Sequence, residues 1–228
     1  LLLAAQLAGN VEWQTRARQI ARDLDRLCLI DHPDNSDSIL LLPAVEGFIL
    51  DEGILINPSY YMPLAMAQIA SATDTPRLAQ AASGGMTLID RLGEAGPVPD
   101  WILLDGNALR APPDGFSRMS GYEAVRVPLF ALWSGHSGSP AVRAYVSATS
   151  GAGSEGTPTR IDPQTLVVSE RSEHPGYAAL SQLGVCASSG GVGSLMPRFS
   201  SDQPYYPATL HLMSLLVQIT TYPRCVPL

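Results

Sequence analysis

Residues 57–93 read NPSYYMPLAMAQIASATDTPRLAQAASGGMTLIDRLG, and this stretch decides the fold class. Asn57-Pro58 joins a good N-cap residue to a proline at the first helical position, where its missing N–H breaks no helix bond. The signature predicts a helix from there to about Ala72. Thr75-Pro76 repeats it and opens a second helix to Leu92, closed by Gly93. Two helices separated by so short a break lie antiparallel, as a helical hairpin.

The same pattern extends outward. Leu1–Ala8 is apolar except for Gln6 and stops at Gly9-Asn10. Val11–Ile30 is an amphipathic helix, with Ala17, Ile20, Ala21, Leu24, Leu27 and Cys28 on one face and Arg16, Arg18, Arg22, Asp25 and Arg26 mostly opposite. Between them and the hairpin, Ile39–Ile56 reads as short strands around the turn Asp51-Glu52-Gly53. Downstream, Trp101–Arg110 carries the hairpin signal Asp105-Gly106, and further helices fit Gly121–Ser134, Pro140–Thr149, Pro175–Ala187 and Tyr205–Tyr222. Ser150–Pro158 and Ser188–Ser201 are rich in Gly, Ser and Pro and are expected as ordered surface loops. With about eight helices and no strand–helix alternation, the class is mostly α, built from sequential helix pairs with small β-hairpins.

Composition excludes several functions. The 228 residues carry 14 basic and 21 acidic side chains, a net charge of −7, and every basic residue is Arg. An acidic chain without a basic stripe does not suit nucleic acid. No apolar run reaches the roughly 18 residues of a membrane span; Ala208–Ile219 is interrupted by His211, Ser214 and Gln218. At 46% apolar and 15% charged, the chain is globular rather than disordered. Cys28, Cys186 and Cys225 are expected as three buried thiols, with Cys186–Cys225 the one bridge to consider. Leu1–Leu7 reads as the middle or end of a helix, so the natural beginning is expected to lie upstream, and no targeting signal is legible.

Little of the chemistry is conspicuous. There is no G-x-S-x-G elbow, and His32, His136, His174 and His211 have no metal-ligand spacing. No metal or cofactor is expected, and Ser189–Gly193 is a flexible glycine-rich loop lacking a P-loop Lys. Two segments stand out, Asn57–Tyr61 and Ser120–Leu129 (SGYEAVRVPL), because each sets aromatic, amide and charged groups at a helix start. Each also has a structural explanation. Ser120-x-x-Glu123 fits a capping box, Glu123 and Arg126 fit an i,i+3 ion pair, and Asn57-Pro58 fits simple capping.

Five landmarks in order nonetheless resemble glycoside hydrolase family 8, in particular the endoglucanases encoded with bacterial cellulose synthases. Leu40–Pro43 followed by Gly47-Phe48 is similar to the family's "LLPG…GF", Asn57–Tyr60 to "NPSY", and Pro99–Trp101 to "PDW". Tyr122–Pro128 resembles "YDAxRVP", and Tyr205-Tyr206 with Leu210 and Leu212 resembles a late "YY…L.L" helix. The resemblance implies an (α/α)6 barrel of six inner and six outer helices, so roughly four helices are unaccounted for by the eight read here. Residues 1–228 are then a single catalytic-type domain, the carboxy-terminal two thirds of the barrel. The family's proton-donor Glu, in an "SEGQ" motif, and an Asp in a "DGD" or "DSD" motif are expected upstream of Leu1.

The implied activity is endo-β-1,4-glucan hydrolysis with inversion, in which one carboxyl protonates the leaving oxygen and a second deprotonates water on the opposite face, roughly 6.5–9.5 Å away. The family's base is the Asp of "YDAxR"; here it is Glu123, of nearly the same basicity and one methylene longer. By the same carry-over Tyr122 holds the water, Arg126 binds a sugar hydroxyl or orients Glu123, and Tyr60, Trp101 and Tyr205 stack on or line the cleft. A β-1,4-glucan oligosaccharide or polymer is the implied partner and the periplasm or cell exterior the implied location. A polypeptide is expected to cover the apolar surface left by the absent helices. The rival reading is a non-catalytic glycan-binding or scaffold protein on the same fold.

Overall fold

Prolines punctuate the helix starts. The computed structural model describes residues 1–151 and 155–227, and has eight α-helices among them. These are α1 (Leu2–Ala8), α2 (Val11–Cys28), α3 (Pro63–Thr73), α4 (Pro76–Ala95), α5 (Arg126–Trp133), α6 (Pro140–Thr149), α7 (Pro175–Ser189) and α8 (Tyr205–Thr220). Helices α3, α4, α6 and α7 each begin on a proline. Asn10 caps α2 by accepting the Trp13 N–H at 3.0 Å. Left-handed residues end α1 at Gly9, α3 at Asp74 and α7 at Gly190.

The helices pack as successive pairs, α1 on α2, α3 on α4, α5 on α6 and α7 on α8. Helix α2 then leans on α3, α4 on α6, and α6 on α7, while α5 also touches α3, α7 and α8. Short and apolar, α5 is the hub, with Leu129 and Leu132 fully buried. Helix α4 runs through Gly93 rather than stopping there. A Cβ on Gly93 would collide with the Ala141 backbone, so this glycine serves the α4–α6 contact instead of capping the helix.

The strands are β1 (Leu29–His32), β2 (Asn35–Leu41), β3 (Ile49–Leu50), β4 (Gly53–Ile56), β5 (Ile102–Asp105), β6 (Ala108–Arg110), β7 (Thr157–Ile161) and β8 (Val168–Ser172). β1 and β2 form one hairpin and β7 and β8 another; β3-β4-β5-β6 make an antiparallel sheet. In that sheet Ile56 pairs with Ile102. This register matters for the site, because it brings residues 57–60 beside residues 100–101 although more than forty positions separate them.

Several boundaries differ from the sequence reading. The helix expected from Asn57 is a 3-10 turn over Pro58–Tyr60 followed by a fresh start at Pro63. A residue preceding proline avoids the α region, which keeps Met62 out of the helix. The helix expected from Gly121 begins at Arg126, and residues 122–125 are tighter turns. Helix α2 ends at Cys28, and Leu29–His32 forms a strand. The β7–β8 hairpin was not read at all, since Val168-Ser-Glu-Arg-Ser has no apolar alternation. Cys186 and Cys225 are joined by a disulfide, their Cα atoms 5.9 Å apart, correcting the expectation of three thiols; Cys28 remains free and buried. Loop 188–201 is ordered by Gly193 N–H donating to Arg224 O and Gln218 Nε2 donating to Ser194 Oγ. Within the Ser150–Pro158 stretch, residues 152–154 lie outside the described residues.

Helix pairing leaves apolar surface open at the two margins. Leu1, Leu3 and Leu7 are exposed around α1, and Ile20 and Leu27 on α2. A cavity of about 940 Å³ runs between α1, α2 and α3, walled by Leu2, Ile20, Leu24 and Ile69. On α8, Tyr205, Leu212, Leu216 and Ile219 face solvent. No helix among the described residues is long and apolar enough to cross a membrane.

Candidate active site

The β4–β5 register assembles the site. Leaving β4, the chain turns at Asn57, whose Oδ1 accepts the Ser59 N–H at 3.0 Å and the Ser59 hydroxyl at 2.6 Å. Both residues are buried. Entering β5, it passes Asp100 and Trp101. Asp100 Oδ1 accepts the N–H groups of Gly121, Glu123 and Ala124 at 3.0, 3.1 and 2.8 Å, and its Oδ2 accepts the Ser117 hydroxyl at 2.8 Å. Burial pushes the Asp100 carboxyl up, against the pull of these four bonds. The Ser120 backbone exchanges two hydrogen bonds with Ile161 of β7, closing the other flank.

Glu123 is therefore not folded back on its own helix start. Asp100 takes the amides that a capping box would have used, and the Ser120 N–H goes to Ile161. The Glu123 side chain is 38% exposed. On Oε2 it receives the Arg126 guanidinium and Asn57 Nδ2 at 3.2 Å, and Ser59 Oγ, whose one proton has the nearer acceptor in Asn57 Oδ1, lies 3.3 Å from the same atom. The i,i+3 ion pair is formed, and two residues from another element join it. Arg126 Nη2 also donates to Ser59 Oγ at 2.8 Å, and its guanidinium lies 5.9 Å from the Tyr60 ring centre.

Aromatic rings extend from this pair in two directions. On one side Tyr60 meets Trp101 edge-on at 6.3 Å, and Trp101 stacks on Phe48 at 5.9 Å and meets Phe116 at 4.9 Å. Trp101 also walls a cavity of about 270 Å³. On the other side Tyr122 leans on Tyr177 and Tyr206. Its hydroxyl donates to Glu170 Oε2 at 2.9 Å, a bond that raises the phenol and lowers the carboxyl. Burial pushes Tyr177 up to about 12.

Of the residues singled out in the sequence, the structure brings together Glu123, Arg126, Tyr60, Trp101 and Tyr122. Tyr205 stands 84% exposed at the head of α8. The α8 ring that joins the cluster is Tyr206, whose hydroxyl donates to the Tyr122 carbonyl at 2.5 Å. Asn57 and Ser59 belong to the segment singled out in the sequence, with capping as their structural explanation, whereas Asp100 inside "PDW" and Glu170 on the β7–β8 hairpin carry no local signal of a role.

The chain is similar to several known proteins. A probable endoglucanase of Novacetimonas hansenii is 28% identical over 179 residues, covering 77% of this chain and 51% of the relative. An endoglucanase of Cellulomonas uda is 24% identical over 137 residues, 58% of this chain and 38% of that one. Among solved structures, the endo-β-1,4-glucanase of Acetobacter xylinum superposes with a TM-score of 0.78 at 24% identity, over 95% of this chain and 66% of that one. The endoglucanase of Komagataeibacter sucrofermentans gives 0.79 at 22%, over 95% and 67%. The chain thus spans about half or less of the curated relatives it matches and about two thirds of the solved ones. These likenesses establish the fold, the helix pairs of an (α/α)6 barrel. Since the profile of Glycosyl hydrolases family 8 matches residues 32–220, well over half of its length, the chain belongs to that family.

Proposed function

We propose that the protein hydrolyses β-1,4-glucan chains internally, with inversion, and that Glu123 is the general base. The observation that carries this reading is the disposition of the Glu123 carboxylate. It points away from its own helix start, and the contacts on its Oε2 from Arg126, Asn57 and Ser59 hold it beside a guanidinium that lies over the Tyr60 ring, which in turn meets Trp101. Oε1 carries none of these bonds and is the atom that takes a proton from water. The water oxygen then attacks the anomeric carbon as the glycosidic C–O bond breaks. The leaving oxygen takes its proton from a second carboxylic acid, for which the "SEGQ" motif of the resembled family is the expected source. Arg126 orients Glu123, Tyr122 holds the water, and Tyr60 and Trp101 contact sugar, with Tyr206 taking on α8 the place expected of Tyr205.

Two further features fit. The Cys186–Cys225 disulfide suits an oxidising compartment, supporting a periplasmic or secreted location, where a glucan polymer is met. The open apolar margins at α1–α3 and α8 support a covering helical polypeptide that completes the barrel. The reading is tested by assaying the protein as the cell makes it on carboxymethylcellulose. Glu123→Gln should lower turnover by about 100-fold or more. Unchanged turnover would remove Glu123 from the reaction, and glucan binding without cleavage by the wild type would select the non-catalytic rival.

A further inference from the structure

Asp100 has no part in the proton transfers just described, yet its surroundings are the most specialised in the site. It is 5% exposed, and among the described residues no ion pair reaches it. A buried carboxylate is costly unless its lone pairs are satisfied. Here four donors do so, and three are the backbone amides of Gly121, Glu123 and Ala124. That is the bonding of a helix N-cap, but supplied from more than twenty residues away instead of by the residue before the turn.

A second observation points the same way. A Cβ on Gly121 would lie 2.8 Å from Asp100 Oδ2, so the absence of a side chain there is what lets the carboxylate approach the turn. Asp100 is also rooted beside Trp101, at the entry to β5. It therefore ties the Glu123 backbone to the strand that carries the aromatic wall. A cap from the Ser120 hydroxyl could take the Glu123 amide but not all three, and would not fix that relation.

We infer that Asp100 is a positioning residue: by holding the amide of Glu123 and its neighbours, it sets where the Glu123 carboxylate stands relative to Trp101 and Tyr60. The inference rests on the reading of Glu123 as the base, and the test separates the two. Wild type, Asp100→Ala, Asp100→Asn and Gly121→Ala are compared in the protein as the cell makes it. The readouts are kcat and KM on carboxymethylcellulose and hydrogen exchange at the amides of residues 121, 123 and 124. Asparagine keeps Oδ1 as an acceptor, and the Ser117 hydroxyl can turn from donor to acceptor for its new NH2.

A displacement of about 1 Å costs on the order of 100-fold, so Asp100→Ala should lower kcat by about 10–100-fold, leave KM within about threefold and speed the three exchange rates. Asp100→Asn should recover most of kcat and the slow exchange, while Gly121→Ala should behave like Asp100→Ala. If Asp100→Ala does not fold, the contrast between Asp100→Asn and Gly121→Ala decides. The inference is overturned by a wild-type kcat in Asp100→Ala, by an equal loss in Asp100→Asn, or by a loss confined to KM. A wild type without turnover sinks the hydrolase reading, and exchange alone then rules on Asp100: rates unchanged in Asp100→Ala overturn it, and rates raised there and restored in Asp100→Asn uphold it.

Discussion

Glu123 occupies the place where the family pattern has Asp, and its extra methylene helps the carboxylate reach Asn57 and Ser59 across the gap between two elements. Basicity hardly changes between the two acids. Shortening the side chain withdraws the carboxylate by about 1 Å, so Glu123→Asp should lower turnover on carboxymethylcellulose by about 10–100-fold, while Glu123→Gln, which removes the base, should lose about 100-fold or more. Beneath it, Asn57 is more than a cap. Removing its side chain strands the Ser59 amide in a buried setting, leaves the Ser59 hydroxyl only its longer contact to Glu123 as acceptor, and takes one donor from Glu123. Asn57→Ala should destabilise the protein by about 1–3 kcal/mol, measured by urea denaturation. At this scale the sequence was half legible. The ring types and the carboxylate at position 123 could be singled out, because each is conspicuous at a helix start. The residues that hold them could not, because Asn57 and Ser59 look like ordinary capping, and Asp100 acts on a turn over twenty positions away.

The elements tell a similar story, and α8 shows why. Its apolar stretch is interrupted by His211, Ser214 and Gln218, which read as breaks in a core face yet are all buried. Ser214 bonds back to Leu210 O, and Gln218 donates to Cys225 O and Ser194 Oγ. His211 Nε2 lies 3.1 Å from Pro197 O, so polar residues on α8 tie down loop 188–201 and the chain's last turn. Burial lowers the His211 pKa below its ordinary 6.5, favouring the neutral ring in the folded protein. The unfolded chain then binds more protons than the folded one just below that value, so stability is full above about 6.5 and is lost as pH falls. Thermal unfolding between pH 7.5 and 5 should show this loss, and His211→Gln should flatten it. The starts of α4, α6 and α7 were legible because Pro at the first position is a local rule, but the same rule placed a helix at Pro58 where only a 3-10 turn forms. The β7–β8 hairpin was not, because its polar strands are held by pairing and by the Ser120–Ile161 bridge, which no period of the sequence displays. The disulfide could be named from the sequence only as the less favoured alternative to three thiols for the same reason: 39 residues separate its halves, and no local pattern shows that they meet. Closing a loop of that length is worth about 4 kcal/mol in the chain-entropy picture, so Cys225→Ser should lower stability by about 2–5 kcal/mol in urea denaturation.

For the whole molecule the deciding fact is that the two margins of the helix array are both apolar. On α8, Tyr205, Leu212 and Ile219 recur every seven residues with Leu216 between them, the spacing by which one helix receives another. At the far margin, Leu1, Leu3 and Ile20 are exposed around a cavity of about 940 Å³, large enough to seat side chains of a further helix. Folded monomers seldom leave such patches in water. Coulombic repulsion from a net charge of −7 opposes association but is spread over the surface, whereas burying apolar area returns about 25 cal/mol per Å². The 228 residues in isolation should therefore self-associate or bind a hydrophobic dye, and a family-length protein carrying the same residues should sediment as a discrete species without dye binding. Sedimentation velocity with Leu212→Glu and Ile219→Glu separates the margins: if α8 is one of the seams, these changes should release the isolated chain from association and weaken the longer protein. A dye-free monomer of the 228 residues, unaffected by either change, would mean that neither margin is a seam.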